Sequence, residues 1–333
     1  MVGDRRGRDV AGAFRHRVAR RRRPGQTVPC KPALLLVVLA VLGAGCAVDR
    51  GTESAVAPTP KPLIVVTTSI LGDVVTNIVA DDADVTVLIP LNEDSRSYQA
   101  TVRQEPIVGE ADAVVWTGLG LELGLTSMIT ELDQRGVTVI AAGTDVDPIE
   151  STDAPGRVDP AFWMDAQRMA RAVVSIGQRL GEAHPALDTS RVRSRAAAYA
   201  AEVRAADAEA MGTLAGIPSE RRVLVTNDDS WAYFGDRYNF EIRTIPGASM
   251  ALPAEGDLDA LSNELVRLGV NAVFAEATKS ARSAFALAEQ TDGQLLEVYS
   301  DSLGGPGSGF ETYTGLIRAN ADRVAEGLGH RVP

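Results

Sequence analysis

The chain has 333 residues, 45% of them hydrophobic and 23% charged, with a formal net charge of −11. That length fits about two ordinary domains, at roughly 100–200 residues each, with enough apolar content for a sizeable core. The acidity makes nucleic acid a poor partner, since gripping a phosphate backbone takes an excess of Lys and Arg.

The amino terminus departs from this average. Residues 1–45 hold ten of the 33 basic residues and two acidic ones, Asp4 and Asp9. The cluster Arg20-Arg21-Arg22-Arg23 is followed by ALLLVVLAVLGAG at 33–45. This run is shorter than the ~20 residues a membrane span needs. A basic stretch, a short apolar run and a small-residue exit together read as an export signal over 1–45. An uncleaved anchor helix is the alternative, and the Gly-Ala-Gly ending speaks against it. Cys46 follows in LGAGC. Small residues just before a cysteine resemble a bacterial lipoprotein cleavage site, which would make Cys46 the lipidated N-terminus. Gly43 departs from that pattern, standing where a larger aliphatic residue is usual. Cys30 falls inside the signal, so the mature chain carries no thiol for a disulfide or a Cys-ligated zinc. Residues 46–62, rich in Ser, Thr, Pro and Ala, read as a tether. Without the leader, 23 basic residues face 42 acidic ones.

Beyond the tether, β-branched runs alternate with amphipathic segments. Strands are expected at 63–69, 84–90, 113–119 and 137–142, and again at 222–227, 240–246, 271–277 and 295–301. Such alternation predicts parallel sheets with crossover helices, four strands to a half. The expectation is an α/β protein of two (β/α)4 lobes: an N-terminal lobe over 63–187, a linking helix over 188–216 and a C-terminal lobe over 217–333. The linker is rich in Ala, Arg and Glu and has no Gly or Pro before Gly212. Asp188 or Thr189 can cap its start, and Gly216 with Pro218 ends it. A helix of that length acts as a stiff spine.

Ligands of open α/β sheets lie beyond the carboxyl ends of the strands. Here those ends carry Thr67, Thr68, Ser69, Glu93, Asp94, Ser95, Arg96, Gly118, Asn227, Asp228, Asp229, Glu276, Asp301 and Ser302. Asp229, ahead of SWAYF, reads as a helix cap. No G-x-S-x-G elbow or P-loop is present, and GGPGSG at 304–309 lacks the lysine that a phosphate cradle needs. His16, His184 and His330 all fall away from strand ends, so no general-base histidine is expected in the cleft. An enzyme is not expected.

Several stretches together carry a resemblance: VVTTSILGDVV (65–75), the turn at Ser97-Tyr98, VVWTGLGLE (114–122), DPAFWMDAQRMA (159–170), VLVTNDDSWAYFGDRY (223–238) and YSDSLGGPGSGFETYTGLIRAN (299–320). The mature chain resembles the solute-binding lipoproteins of zinc/manganese-type ABC importers nearly end to end. The resemblance implies two lobes on a rigid helix, a divalent metal between them, an ABC permease as partner, a lipid anchor in the membrane, and a monomer.

The metal ligands carry over only in part. The resemblance puts Arg96 and Ala161 where the family has histidines, Asp228 where it has His or Glu, and Asp301 where it has Asp. A guanidinium has no lone pair for a metal. At about 4 Å and an effective dielectric of ~20, it would repel a dication by about 8 kcal/mol. Three functions follow for the altered cleft of Arg96, Ala161, Asp228 and Asp301. The first is weak binding of a divalent metal, Mn or Zn, through Asp228 and Asp301 with help from Glu93 or Asp94. The second is binding of an anionic or chelated ligand through Arg96. The third is a ligand-free surface scaffold or adhesin. For the metal-free state the expectation is that Arg96 bridges Asp228 and Asp301 directly.

Overall fold

The computed structural model describes residues 60–151, 156–246 and 256–329. The expected signal, Cys46, His330 and most of the tether lie outside the described residues. The first sheet holds β1 (Leu63–Val66), β2 (Asp84–Val87), β3 (Ala113–Trp116) and β4 (Thr138–Ala141) in the order β2-β1-β3-β4. The second holds β5 (Val223–Thr226), β6 (Glu241–Thr244), β7 (Ala272–Glu276) and β8 (Gln294–Val298) in the order β6-β5-β7-β8. Every pairing in both sheets is parallel. The two orders are the same, as a repeated βαβ winding requires.

Central strands are apolar but for the last residues of β5 and β7, because helices or loops cover both of their faces. β5 (VLVT) and β7 (AVFAE) are buried along their whole length, whereas edge strands β2 and β6 are partly exposed. Each strand stops short of its apolar run. The polar tail that follows leaves the ladder and becomes a loop at the carboxyl edge of the sheet.

Helix α1 (Ser69–Val79) begins at that edge, and its Leu71 N–H donates to the hydroxyl of Thr68. The remaining helices of the first half are α2 (Glu105–Gly109), α3 (Thr126–Gln134) and α4 (Ala166–Ala183). Helix α5 (Thr189–Leu214) runs for 26 residues, about 39 Å at 1.5 Å per residue. Asp188 caps it, accepting from Arg191 N at 3.0 Å. After it come α6 (Ala232–Tyr238), α7 (Asp257–Leu268), α8 (Arg282–Gln290) and α9 (Tyr313–Gly329).

The spine is clamped along its length. It packs on α4, α1 and α9. A Cβ on Gly177 of α4 would lie 2.2 Å from Cβ of Ala196, so glycine is what lets α4 and α5 approach so closely. Buried Asp207 of α5 accepts from Arg237 Nε at 2.9 Å, Tyr238 Oη at 3.0 Å and Gln167 Nε2 at 2.6 Å. Asp73 of α1 accepts from Tyr199 of α5 and from Tyr313 N at 3.1 Å. One continuous core runs from the first sheet through α1, α4, α5 and α9 to the second. A smaller cluster, including Val65, Val114, Ile129 and Leu132, fills the outer face of the first sheet. Among the described residues no helix is long and apolar enough to cross a membrane.

Candidate functional site

The carboxyl edges of the two sheets meet, and the loops between them carry most of the cleft's charge. Those of the first lobe are shaped around Glu122, whose carboxylate accepts from Thr67 Oγ1 at 2.7 Å, Thr117 N at 2.8 Å and Gly118 N at 3.2 Å. The loop after β2 turns at Asp94, whose Oδ1 accepts from Arg96 N at 2.9 Å. That turn sends the Arg96 side chain towards the second lobe. Its Nη2 donates to Ser230 Oγ at 3.2 Å and pairs with Asp229 Oδ1 at 3.2 Å.

On the second lobe, Asp228 follows β5, Glu276 ends β7 and Asp301 follows β8. Ser230 Oγ donates to Asp301 Oδ1 at 3.0 Å. Ser300 Oγ lies 2.8 Å from Glu276 Oε2 and 3.3 Å from Asp228 Oδ1. Lys279, in the turn after β7, completes the arrangement. Its Nζ lies 3.0 Å from Asp94 Oδ2, 3.2 Å from Asp301 Oδ2 and 3.7 Å from Asp228 Oδ2. The two lobes therefore exchange cations: Arg96 crosses one way and Lys279 the other. Two neutral ties run beside them, Asn92 N to Ser302 Oγ at 3.1 Å and Leu303 N to Ser69 Oγ at 2.9 Å.

Burial sets the proton affinities here. It lifts Asp301 to about 6, with the Asp228 charge adding to the rise and Lys279 and Arg96 opposing it. Glu276 is pushed well above the ordinary carboxylate value by burial and then by Asp301 and Asp228, against the hydrogen bonds from Ser300 and Thr278. Burial also lifts Asp159 to about 6, against the Ala161 N–H and the Arg96 charge. Burial disfavours the Lys279 ammonium, but Asp301, Asp228 and Asp94 outweigh it and hold its pKa above the usual lysine value. Asp94 is likewise burdened by burial, yet Lys279 and the Arg96 N–H draw it below its ordinary value.

Three of the four sequence-predicted cleft residues, Arg96, Asp228 and Asp301, come together. Ala161 is fully buried and presents a methyl group, while its N–H donates to Asp159 Oδ1 at 2.8 Å. The expected direct bridge from Arg96 to Asp228 and Asp301 is corrected. Arg96 pairs with Asp229 instead and reaches Asp301 through the Ser230 hydroxyl, while Lys279 takes the two aspartates. Asp229 is not a helix cap, since the turn before α6 leaves its carboxylate to the guanidinium. Asp165 caps α4 and pairs with Arg168. Lys279 was not among the expected site residues. A signal existed: of the 33 basic residues only Lys31, Lys61 and Lys279 are lysines. Lys279 lies three residues past a strand end, in a chain that otherwise uses arginine.

Among the described residues, no group of three or more His, Cys, Asp or Glu side chains is arranged to hold a metal ion. The ammonium-to-carboxylate distances above are ion-pair distances, longer than the ~2.0–2.6 Å of metal–oxygen bonds.

Two parallel α/β lobes, a rigid connecting helix and a charged cleft at the facing strand ends define a solute-binding protein of the importer type. The chain belongs to the family described as zinc-uptake complex component A, periplasmic, which matches residues 64–327. This is a family of substrate-binding transport proteins rather than enzymes. The chain is 28% identical to the manganese-binding lipoprotein MntA of Halalkalibacterium halodurans, over 89% of this chain and 97% of that one. It is 29% identical to the zinc-binding protein TroA of Treponema pallidum, over 80% and 89%. It is also 29% identical to the iron-binding protein YfeA of Yersinia pestis, over 81% and 88%. The solved structure of the Treponema pallidum periplasmic zinc binding protein TroA superposes with a TM-score of 0.74 at 26% identity, covering 81% of this chain and all of that one.

Proposed function

We propose that this protein is the extracytoplasmic, lipid-anchored solute-binding subunit of a metal-type ABC importer, and that its inter-lobe site is altered so that divalent metal binds weakly at most. Residues 1–45 direct export, Cys46 carries the lipid, and 46–62 tether a monomeric body to the membrane beside a permease and its ATPase. The relatives' names, which speak of manganese, zinc and iron, supply the metal class.

The observation that carries the reading is the Arg96 guanidinium lodged between the lobes, 3.2 Å from Asp229. A fixed positive charge there opposes a dication, and the oxygens left beside it, on Asp228 and Asp301, favour a hard ion over zinc. Binding of an anion through Arg96 finds no support, because its neighbours Asp229, Asp301, Asp228 and Asp159 are acidic. A ligand-free role draws support from the paired cross-lobe ties, in which the protein's own groups join the lobes.

Elemental analysis of the purified protein, after incubation with manganese or zinc and gel filtration, tests the site. The expectation is well under one metal per chain. One tightly retained ion per chain contradicts it. Cys46→Ala is expected to leave the membrane fraction, and retention after carbonate washing would mean that 33–45 is an uncleaved anchor.

A further inference from the structure

We propose that the Lys279 ammonium is the resident cation of the inter-lobe carboxylate cluster: a tethered occupant that excludes divalent cargo and sets the specificity of the site. The proposal rests on the functional reading above and deepens it.

The turn that carries Lys279 is held for this purpose. Lys279 N donates to Glu276 O at 3.1 Å, and Asn227, at the end of β5, donates through Nδ2 to Ser280 O at 3.1 Å. Asn227 Oδ1 also accepts from Glu276 N at 2.7 Å, which fixes β7 to β5 just before the turn. The side chain reaches across the cleft to Asp94. It is 10% exposed, and those of Asp228 and Asp301 are 1% exposed. Asp301 Oδ2 is buried and accepts no hydrogen bond, so the ammonium at 3.2 Å compensates it by charge. A carboxylate oxygen in that condition is costly unless a cation stays beside it. The separations of 3.0, 3.2 and 3.7 Å fit nitrogen among oxygens. A metal would have to expel the lysine and draw carboxylates of two lobes inward by roughly 1 Å to reach bonding distance. The lysine is covalently tethered, so it returns whenever a competing ion leaves.

Amine labelling of the native protein tests occupancy. Reductive methylation, read by peptide mass spectrometry, has a built-in reference in exposed Lys61. Lys279 is expected to react about tenfold more slowly or less, because its amine must first leave the cluster. Millimolar manganese or zinc should leave that ratio unchanged. Equal labelling of the two lysines, or a metal-driven rise at Lys279, overturns the proposal.

A second arm uses Lys279→Ala. The variant is expected to melt several degrees lower. Propylammonium, which replaces the three carbons and the ammonium lost beyond Cβ, should restore the melting temperature saturably, while tetramethylammonium, having no N–H, should not. Equal rescue by both salts, or by sodium chloride alone, overturns the proposal, as does a variant that melts like the wild type. Tight metal retention by the wild type would undo the functional reading itself, whereas unprotected Lys279 in a metal-free wild type would undo only this proposal.

Discussion

Replacing Arg96 and Asp229 by alanine, singly and together, isolates the pair that holds one side of the cleft. The guanidinium and carboxylate lie 3.2 Å apart, with side chains 33% and 22% exposed. At an effective dielectric of ~20, unit charges at that distance attract by about 5 kcal/mol. Solvent reaches both partners, and exposed pairs deliver only a fraction of their Coulomb energy, so the expected coupling is about 1–2 kcal/mol. The single variants should differ. Arg96→Ala also withdraws positive charge from Asp301, Asp228 and Asp159, and leaving buried carboxylates under-compensated should bring its cost to about 2–4 kcal/mol. Asp229→Ala removes one acid from an acidic cluster and should cost less. Urea denaturation at neutral pH gives all four stabilities, compared at constant m. A coupling below about 0.3 kcal/mol, the ordinary additivity error, would place the guanidinium in solvent and remove the argument that Arg96 closes the cleft.

Gly177→Ala gains up to about 1 kcal/mol of helix propensity but sets a methyl 2.2 Å from Cβ of Ala196. Overpacking of that kind costs about 1–3 kcal/mol, so the melting temperature should fall by a few degrees, and a rise would mean that α4 and α5 are not in such close contact. Asp159 has a folded pKa of about 6, above its unfolded value of ~3.9. The native state therefore holds this proton more tightly, and the associated stability is present at low pH and lost as pH rises through 6. Lowering pH from about 7 to 5 should recover about 1 kcal/mol from this group, with Asp301 acting in the same sense. In Asp159→Asn that part of the pH dependence should disappear in thermal melts, and a profile parallel to the wild type would contradict the assignment.

Much of the architecture is legible in the chain. All eight strands appear at their expected places because buried parallel strands are written as short β-branched runs between turn residues. Each is shorter than its run, since residues such as Thr67 and Thr68 are β-branched and extend the pattern while hydrogen-bonding as loop and cap. The spine is legible from its Ala-rich composition and its capping Asp188. The site was half legible. Strand-end logic finds Arg96, Asp228 and Asp301, because position alone brings them together. It does not find the pairing, which depends on the directions in which side chains leave their turns: the Asp94 turn aims Arg96 at Asp229, and the Glu276 turn aims Lys279 across the cleft. Lys279 lies beyond the strand end and resembles a surface residue, and only the scarcity of lysine in this chain marks it.

The most direct test of the account is a calorimetric titration of manganese, and separately zinc, into the purified wild-type protein at pH 7.5. With Arg96 and Lys279 occupying the cleft, dissociation constants should be about 10 mM or weaker, equivalent to roughly −2.7 kcal/mol or less favourable. A single nanomolar site for either ion would contradict the claim that the protein's own cations have taken the place of its cargo.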